Sequence, residues 1–571
     1  MIKRVLIALS LANLCFLPAW REVVDPGRLY HCYHTKICPV GVGLAAVSID
    51  TLLLAALFFI GFELARRARR PLTLKAAYGA FLLTLLIPLN GLRIQFPDWM
   101  APSLLASLGK AGFALVVLTP AALAALVIWR VGLARLARGA TVVVLILSPF
   151  IGVAYAQSLW RMVNYRQAMS EQFAAARPES PRPARPPVRV LWLIFDELDY
   201  HVAFLNRPTS LSLPEFDRLR AEALFAHEAY PPAGLTTQSM PAFISGKLVA
   251  DAKQTRPNVL AVQFHEESEW VGWATRPSIF SRARELGLTS AVVGWFHPYC
   301  RLFGRELKQC SWWQGRLLED VVVRRSSVKD AMLRDAKMSF LSLPLLHRLL
   351  PRGEEPHPLR AKLIPQGMRD IQNLAARDYL EMMEEARRVS ADPDIHLALV
   401  HLPIPHPPSF YDRGRGQLDA HGSHSYLDSL ALADRSFGEL RRALGEAGLW
   451  ERTAVLISGD HWWRVRELYL PEDGQTTLQW HEEDETIIPP ADEYRVPFIL
   501  KLPGRTRGVE YGAPFNTVLS HDLVLSILRG EIDTPEAAAG WIDRHRSIGA
   551  SPYYHVLLEQ ARGHESGPKK N

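Results

Sequence analysis

The uneven placement of apolar residues is the feature that most limits how this 571-residue chain can fold. Long hydrophobic runs fill roughly the first 160 residues, whereas the remainder has the mixed composition of a soluble domain. A helix needs about 20 largely apolar residues to cross a bilayer. The sequence therefore predicts an N-terminal bundle of about five transmembrane helices, at residues 5–20, 43–63, 75–92, 111–129 and 140–158.

Basic residues predict the orientation of these helices. They precede the first run and cluster after the second and fourth runs, at Lys3, Arg4, Arg66, Arg67, Arg69, Arg70, Lys75, Arg130, Arg135 and Arg138. Because basic loops stay in the cytoplasm, the N-terminus is predicted to be cytoplasmic and everything after the fifth run to lie outside the cytoplasm. This topology accounts for much of the net charge of +7, so the charge predicts no nucleic-acid partner.

Four of the five cysteines fall in segments that are predicted to lie outside the cytoplasm. Cys32 is close to Cys38, and Cys300 is close to Cys310, so an oxidising compartment favours two short-loop disulfides. A metal site at Cys32 and Cys38 with nearby histidines is the alternative, but the spacing matches no standard zinc pattern. Cys15 lies within the first apolar run.

From residue 188 onward, strand patterns alternate with helix patterns. VRVLWLIFDE (188–197), HLALVHLPIPH (396–406) and TAVLISGDH (453–461) begin as continuous apolar runs, as strands covered on both faces do. Their alternation with amphipathic helices predicts an α/β sandwich with a mainly parallel central sheet. The predicted domains are a transmembrane domain, a juxtamembrane helix with a Pro/Arg linker, a soluble domain and a flexible tail, at 1–160, 161–187, 188–560 and 561–571.

Polar residues stand at the carboxyl ends of three predicted strands, which is where open α/β sheets place their sites. The first strand ends in two carboxylates, Asp196-Glu197, and the third ends in a carboxylate and an imidazole, Asp460-His461. The second strand carries two histidines, His401 and His406. Carboxylates together with an imidazole suit Zn²⁺ or Mn²⁺. We therefore expect one divalent metal ion at this edge of the sheet.

The stretch PPAGLTTQSMPAFISG (231–246) adds a candidate nucleophile. Pro241 suits the first turn of a helix, so Thr236 and Thr237 are predicted at or just before a helix N-terminus. Free backbone N–H groups and the helix dipole favour an anionic group there. The alternative is that Thr236 only caps the helix.

The order of IFDELD, T-x-x-S-x-P, HLPIPHPP, SGDH and VPFILKLPG resembles the alkaline phosphatase/sulfatase superfamily. Five N-terminal spans before such a domain resemble its membrane branch, the lipoteichoic acid synthases and lipid A phosphoethanolamine transferases. The resemblance implies that Thr236 is the nucleophile and a metal ligand, and that His401 and His406 bind the transferred phosphate group, with His406 also acting in catalysis. It further implies that Asp196, Asp460 and His461 complete the site of one zinc or manganese ion.

Three positions depart from the pattern of that family. The membrane transferases carry glutamate at the first ligand position, where this chain has Asp196 followed by Glu197; either could coordinate, and the sulfatase pattern favours Asp196. Trp462-Trp463-Arg464 replaces an expected glycine, and could reshape the pocket or form an aromatic platform. Thr236 cannot be converted to formylglycine, which disfavours simple sulfate-ester hydrolysis.

The resemblance implies a metal-dependent transferase that moves a phospholipid head group, of phosphoethanolamine or phosphoglycerol type, to a lipid or glycan acceptor in the cell envelope. The transfer would pass through a phospho-threonine, with Thr237 as the second candidate nucleophile. The expected location is the bacterial inner (plasma) membrane, with the catalytic domain facing the periplasm or cell exterior. A phosphodiesterase or phosphatase of the same fold and a degenerate, lipid-binding regulator are the alternatives.

Overall fold

The computed structural model describes most of the chain, with gaps: residues 1–24, 40–67, 71–95, 126–170, 188–256, 258–314, 327–336, 358–465, 481–504 and 507–549, together with single residues that include Tyr33. The chain divides into two compact units. The first comprises Met1–Arg28, Ile37–Gln167 and Val322–Pro358, and the second comprises Leu29–Lys36, Ala168–Val321 and Leu359–Asn571. The domain boundaries given above stay predictions.

The first unit is helical where the structure describes it. Its helices are Ile2–Cys15, Leu17–Val24, Val40–Arg67, Pro71–Thr84, Leu86–Gln95, Leu133–Ile146, Pro149–Ser170 and Val328–Ala336. Three stretches of the described residues are long and apolar enough to cross a membrane, namely Gly41–Arg67, Pro71–Gly91 and Leu133–Val163. Many of their side chains face outward, as lipid-facing side chains would.

Three such stretches are fewer than the five predicted helices. The predicted helix at 5–20 is divided at Phe16 into two helices of 14 and 8 residues, each too short to span a bilayer alone. Most of the predicted helix at 111–129 lies outside the described residues. The predicted helices at 43–63, 75–92 and 140–158 each fall within or largely within one of the three stretches.

The second unit is built on an eight-stranded sheet in the order β8-β2-β7-β6-β1-β5-β3-β4. The strands are β1 Arg189–Asp196, β2 Leu224–Ala226, β3 Ser290–Phe296, β4 Gln309–Gln314, β5 Leu397–Pro405, β6 Thr453–Gly459, β7 Phe498–Lys501 and β8 Val509–Tyr511. Within the described strands, β7 runs antiparallel to β6 and β2, and the other neighbours are parallel. The prediction of a mainly parallel α/β sheet is confirmed.

Helices and small sheets cover this central sheet. The helices are Pro214–Arg220, Thr236–Ser245, Ile279–Glu285, Tyr299–Phe303, Pro358–Ala391, Tyr426–Glu446, Ser520–Leu528 and Pro535–Gly549, with shorter turns at His201–Leu205, Trp273–Thr275, Trp450–Arg452, Glu482–Ile487 and Thr517–Leu519. The strands of the small sheets are Ala229–Tyr230, Val249–Arg256, Val259–Phe264, Trp270–Gly272, Tyr411–Asp412, Gln417–Leu418 and Phe515–Asn516.

Two hydrophobic cores flank the central sheet, because successive side chains of a strand point to opposite faces. Strand β1 is buried along its whole length. Leu191, Leu193 and Phe195 belong to one core, and Trp192 and Ile194 belong to the other. The continuous apolar run in the sequence therefore reflects a strand covered on both faces, as the sandwich prediction requires.

One of the two predicted disulfides is present in the second unit. Cys300 and Cys310 are joined, ten residues apart in sequence. The predicted partners Cys32 and Cys38 lie outside the described residues. Cys15 is buried and has a free thiol.

Candidate metal and nucleophile site

The central strands β1 and β6 are parallel neighbours and end at the same edge of the sheet. Phe195 pairs with Gly459, so the residues that follow on each strand, Asp196 and Asp460, come out side by side. The pairing of β1 with β5 shifts register between Phe195 and Asp196. Such an irregularity redirects a side chain relative to the regular ladder, and Glu197 directly after it has a φ of 64°.

Asp460 is fixed by hydrogen bonds to both of its oxygens. Oδ1 accepts from the backbone N–H of Glu197 at 3.1 Å and from that of His461 at 2.8 Å. Oδ2 accepts from the hydroxyl of Thr236 at 2.8 Å. One carboxylate therefore connects the ends of β1 and β6 to the threonine.

His461 presents its Nε2 atom to the same point. Its Nδ1 lies 3.0 Å from the carbonyl oxygen of Trp462, which can only accept, so Nδ1 carries the proton. In the neutral ring, Nε2 then has a free lone pair, the state in which an imidazole binds a metal. Nε2 lies 3.5 Å from Asp196 Oδ1, 3.4 Å from Asp460 Oδ2 and 3.2 Å from Thr236 Oγ1.

Thr236 is the first residue of the helix Thr236–Ser245 and is 7% exposed. The prediction that the threonine pair lies at a helix N-terminus therefore agrees with the structure. The expectation that Pro241 lies in the first turn is wrong, because Pro241 is the sixth residue of this helix. Leu235 is the N-cap residue and makes no side-chain capping bond. The hydroxyl of Thr236 points instead to Asp460, so the capping alternative does not describe its bonding.

The charges at this edge favour a bound cation. Asp196, Glu197 and Asp460 are all fully buried. Burial raises the pKa of Asp196 well above its usual value, and the charges of Asp460 and Glu197 raise it further. Burial also raises the pKa of Asp460 to about 7, and it lowers that of His461 well below its usual value. A divalent ion would lower the pKa of both Asp196 and Asp460, because it would stabilise the ionised carboxylates.

The residues present fit a metal ion. Asp196, Asp460 and His461 each offer one ligand atom, and these atoms all lie within 4.8 Å of one another. Both oxygens of Asp196 are buried, and in the described part of the chain neither accepts a hydrogen bond of ordinary geometry, although the Trp295 indole lowers the pKa of this carboxyl. A buried carboxylate with unfilled lone pairs is the arrangement that a cation completes.

Glu197, the alternative first ligand, faces a different partner. Its side chain lies 3.4 Å from the guanidinium of Arg464 and is fully buried. Asp196, rather than Glu197, shares the cluster with Asp460 and His461. This placement favours the aspartate that the sulfatase pattern suggested.

The two predicted phosphate-binding histidines lie around this cluster. His401 is fully buried on β5, its Nδ1 lies 3.0 Å from the Tyr299 hydroxyl, and burial lowers its pKa to about 3. His406 is partly buried, and its backbone N–H donates to the carbonyl of Asp196 at 3.0 Å. Both imidazoles lower the pKa of His461 electrostatically. The structure thus brings Thr236, Asp196, Asp460 and His461 into direct contact range, with the two histidines beside them.

The tryptophan pair does not form an exposed platform. Trp462 is 8% exposed and packs edge-to-face on Tyr494 at 4.7 Å. A Cβ atom on Gly234 would come within 2.5 Å of its ring, so a glycine is required opposite it. Trp463 is 2% exposed and stacks on Tyr426 with the ring centres 4.1 Å apart. Both rings are therefore packed into the protein rather than presented as an aromatic platform.

Sequence reasoning missed one contact to the candidate nucleophile. The contact comes from His297, which directly follows strand β3. It is fully buried, and its Nε2 lies 3.1 Å from the backbone carbonyl oxygen of Thr236. The two residues are 61 positions apart in sequence. No pattern of spacing could connect them; the one signal in the sequence is that His297 directly follows the apolar run that ends at Phe296.

Comparison with known proteins agrees with this architecture. Residues 189–529, more than half of the chain, match the family model described as Sulfatase. No curated protein matches the chain. Similar solved structures include the PsFucS1 sulfatase from Pseudoalteromonas sp., which is 14% identical with a TM-score of 0.39, covering 66% of this chain and 74% of that one.

Two further solved structures are similar to this chain. The phosphonate monoester hydrolase SpPMH from Silicibacter pomeroyi is 15% identical with a TM-score of 0.35, covering 60% of this chain and 73% of that one. A protein in the alkaline phosphatase superfamily from Vibrio parahaemolyticus is 12% identical with a TM-score of 0.35, covering 65% and 74% respectively. The family match includes strands β1 and β6 and the helix Thr236–Ser245, and with them Asp196, Thr236, Asp460 and His461, and the chain belongs to the sulfatase family within the alkaline phosphatase/sulfatase superfamily.

Proposed function

We propose that this chain is a membrane-anchored, metal-dependent transferase that moves a phospholipid head group through a phospho-threonine to an acceptor of the cell envelope. The observation that carries the proposal is the placement of the Thr236 hydroxyl. It stands at the start of a helix, 2.8 Å from Asp460 and 3.2 Å from His461, beside a buried cluster of metal-binding groups. A hydroxyl in this position can act as a nucleophile once its pKa is lowered.

Asp196, Asp460, His461 and Thr236 would hold one zinc or manganese ion. When bound, such an ion supplies a lowered hydroxyl pKa and neutralises charge on phosphoryl oxygens. Asp460 orients Oγ1 through its hydrogen bond. The first helical hydrogen bonds run from the N–H groups of Gln238 and Ser239 to the carbonyl of Leu235, so the N–H groups of Thr236 and Thr237, which precede them, would be available to bind an anionic group.

The transfer has two balanced steps. First, Thr236 Oγ1 forms a bond to phosphorus as the bond from phosphorus to the glycerol oxygen breaks, and diacylglycerol leaves with a proton. Second, an acceptor hydroxyl bonds to the phosphorus, the bond to Oγ1 breaks, and Thr236 regains its proton. His406 and His401 bind phosphoryl oxygens, and His406, partly exposed beside Asp196, passes the proton to the leaving group.

The first unit supports a lipid donor. Three described stretches can cross a membrane, so the chain is suited to work where phospholipids and lipid or glycan acceptors are found. The basic residues at and after the end of Gly41–Arg67 favour a cytoplasmic location for that end of the helix. The Cys300–Cys310 disulfide favours an oxidising compartment for the second unit. We place the protein in the bacterial inner membrane with the site facing the periplasm or cell exterior.

Mass spectrometry of the full-length protein tests the proposal. Detergent-purified protein, loaded with zinc or manganese, is incubated with phosphatidylethanolamine and phosphatidylglycerol and digested. We expect a phosphoethanolamine or phosphoglycerol increment on Thr236, abolished in Thr236→Val and retained in Thr237→Val. The two isosteric variants distinguish the first candidate nucleophile from the second.

Each other result points to a different function. An adduct that is released to water at the same rate with and without envelope glycolipid acceptors would identify a hydrolase with the same nucleophile. An adduct that persists in Thr236→Val but not in Thr237→Val would move the nucleophile by one residue. Protein that binds no metal and forms no adduct would contradict catalysis and favour a lipid-binding regulator.

A further inference from the structure

Tyr33 connects the amino-terminal part of the sequence to the catalytic unit. In sequence it lies between the helices Leu17–Val24 and Val40–Arg67, yet the segment Leu29–Lys36 belongs to the second compact unit. Its side chain is fully buried, in the same hydrophobic core as Trp273 and Tyr299. A tyrosine with this degree of burial needs a hydrogen-bond partner for its hydroxyl.

That partner is His297, and the bond leads to the nucleophile. The Tyr33 hydroxyl lies 2.9 Å from His297 Nδ1, and His297 Nε2 lies 3.1 Å from the carbonyl oxygen of Thr236. The carbonyl can only accept, so Nε2 donates. In a neutral ring Nδ1 then accepts, and the Tyr33 hydroxyl is its donor. Burial raises the pKa of Tyr33 well above its usual value, so the hydroxyl keeps its proton.

The remote end of this chain of bonds is also held. Arg301 donates from its guanidinium to the carbonyl oxygen of Tyr33 at 2.5 Å. The guanidinium is buried over the ring of Trp312, 5.0 Å from its centre. Arg301 directly follows Cys300 of the disulfide. Both the main chain and the side chain of Tyr33 are therefore attached to a cross-linked part of the second unit.

The start of the Thr236 helix has a particular need for such a contact. Its N-cap residue is Leu235, which makes no side-chain capping bond, and Thr236 directs its own hydroxyl to Asp460. The first turn therefore lacks the usual side-chain attachment at its N-terminus. The hydrogen bond that His297 donates to the Thr236 carbonyl holds the backbone at this position instead.

We propose that Tyr33 and His297 are positioning residues that hold the first peptide of this helix, and with it the Thr236 hydroxyl, in line with the metal-binding cluster. Tyr33, from between the helices Leu17–Val24 and Val40–Arg67 in sequence, thereby helps to position the site. The consequence for catalysis rests on the proposed function, because it takes Thr236 as the nucleophile. The inference that Tyr33 and His297 hold the start of the helix does not rest on the proposed function.

Tyr33→Phe in the full-length protein removes the hydroxyl and keeps the ring. Loss of one buried hydrogen bond of this kind corresponds to roughly a three- to tenfold effect. We expect adduct formation on Thr236 to slow by about that factor, with the KM for phospholipid unchanged, because ground-state binding does not involve the relay. We also expect faster deuterium uptake in peptides that cover residues 231–246.

Tyr379→Phe is the matched control. Tyr379 is 3% exposed, and its hydroxyl lies 2.9 Å from Ser436 Oγ in the core on the opposite face of the sheet. The same atom is lost from a buried hydrogen bond of the same length. We expect neither the rate of adduct formation nor deuterium uptake at 231–246 to change in this variant.

A double-mutant cycle tests the route through His297. His297→Ala breaks the relay, so adding Tyr33→Phe to it should produce no further slowing and no further uptake. Fully additive effects would overturn the proposal, since Tyr33 would then act by another path. Deuterium uptake in Tyr33→Phe equal to wild type, or shared with Tyr379→Phe, would also overturn it. If the wild type forms no adduct, the proposed function fails, while the uptake measurements still decide on the relay.

Discussion

Asp460 shows how much of the site depends on single atoms. One oxygen accepts two backbone N–H groups and the other accepts the Thr236 hydroxyl, so the carboxylate orients three segments at once. The sequence predicted the residues of this cluster because each stands at a strand end or helix start. It could not predict which oxygen meets which donor, since Thr236 and Asp460 are 224 residues apart and such a contact leaves no periodic pattern.

The choice between Asp196 and Glu197 yields a prediction at the same scale. Asp196 shares the cluster with Asp460 and His461, whereas Glu197 pairs with Arg464. Asp196→Asn should therefore weaken zinc binding by more than about 100-fold, and Glu197→Gln by no more than about 10- to 100-fold, since an outer-shell change has the smaller effect. Competition with a chromogenic chelator measures both affinities on the full-length protein. The reverse ranking would make Glu197 the first ligand.

The bounds of helices and strands could be predicted closely from the sequence where one face or both faces of the element are buried. The predicted strands at 188–197, 396–406 and 453–461 contain β1, β5 and β6. Strand direction was less accessible, because a buried apolar run reads the same in either direction, and β7 proved antiparallel to both neighbours. The Thr236 helix began at the threonines rather than near Pro241. Whether a helix tolerates an internal proline depends on tertiary packing, which local helix propensity does not describe.

Asp434 joins two helices and makes stability depend on pH. It lies on the helix Tyr426–Glu446 and accepts the backbone N–H of Phe216 at 2.7 Å, at the start of the helix Pro214–Arg220. Burial raises its pKa to about 7, partly offset by the bonds from Phe216 and Glu215. The folded state therefore holds this proton more tightly than the unfolded state. Its contribution to stability is present at low pH and is lost as pH rises through about 7.

Asp434→Asn should remove that pH dependence, because the amide keeps an acceptor oxygen but does not titrate. We expect the variant to match the wild type only below the unfolded pKa of about 4, and its advantage to grow by about 1–3 kcal/mol between pH 5 and pH 8, or roughly 2–6 °C in Tm. Thermal unfolding of the detergent-solubilised protein at both values measures the difference. Asp533→Asn, at an exposed aspartate, is the control and should keep the wild-type slope. A variant that is less stable than wild type at pH 8 would contradict the assigned direction.

At the scale of the whole molecule, two units of different chemistry share one chain. The family match covers residues 189–529, which hold most of the second unit together with Val322–Pro358 of the first, while the three membrane-spanning candidates precede the match. The two parts could be distinguished in the sequence because a surface that faces lipid is apolar, whereas a surface that faces water is largely polar. They did not reveal that Leu29–Lys36 belongs to the second unit. A short polar segment between apolar runs carries no signal of where it folds.

The proposed topology makes a prediction for intact cells. If the second unit lies outside the cytoplasm, protease added to spheroplasts should remove it from an N-terminally tagged protein and leave a protected fragment that carries the membrane helices. Acid-trapped protein from the same cells should contain the Cys300–Cys310 disulfide, which the cytoplasm would keep reduced. A Cys300→Ser, Cys310→Ser variant is the control for the thiol assay, and a cytoplasmic marker protein is the control for lysis. Digestion only after lysis, together with reduced Cys300 and Cys310, would place the site in the cytoplasm; an envelope acceptor would then be out of reach, and the transferase proposal would fail with it.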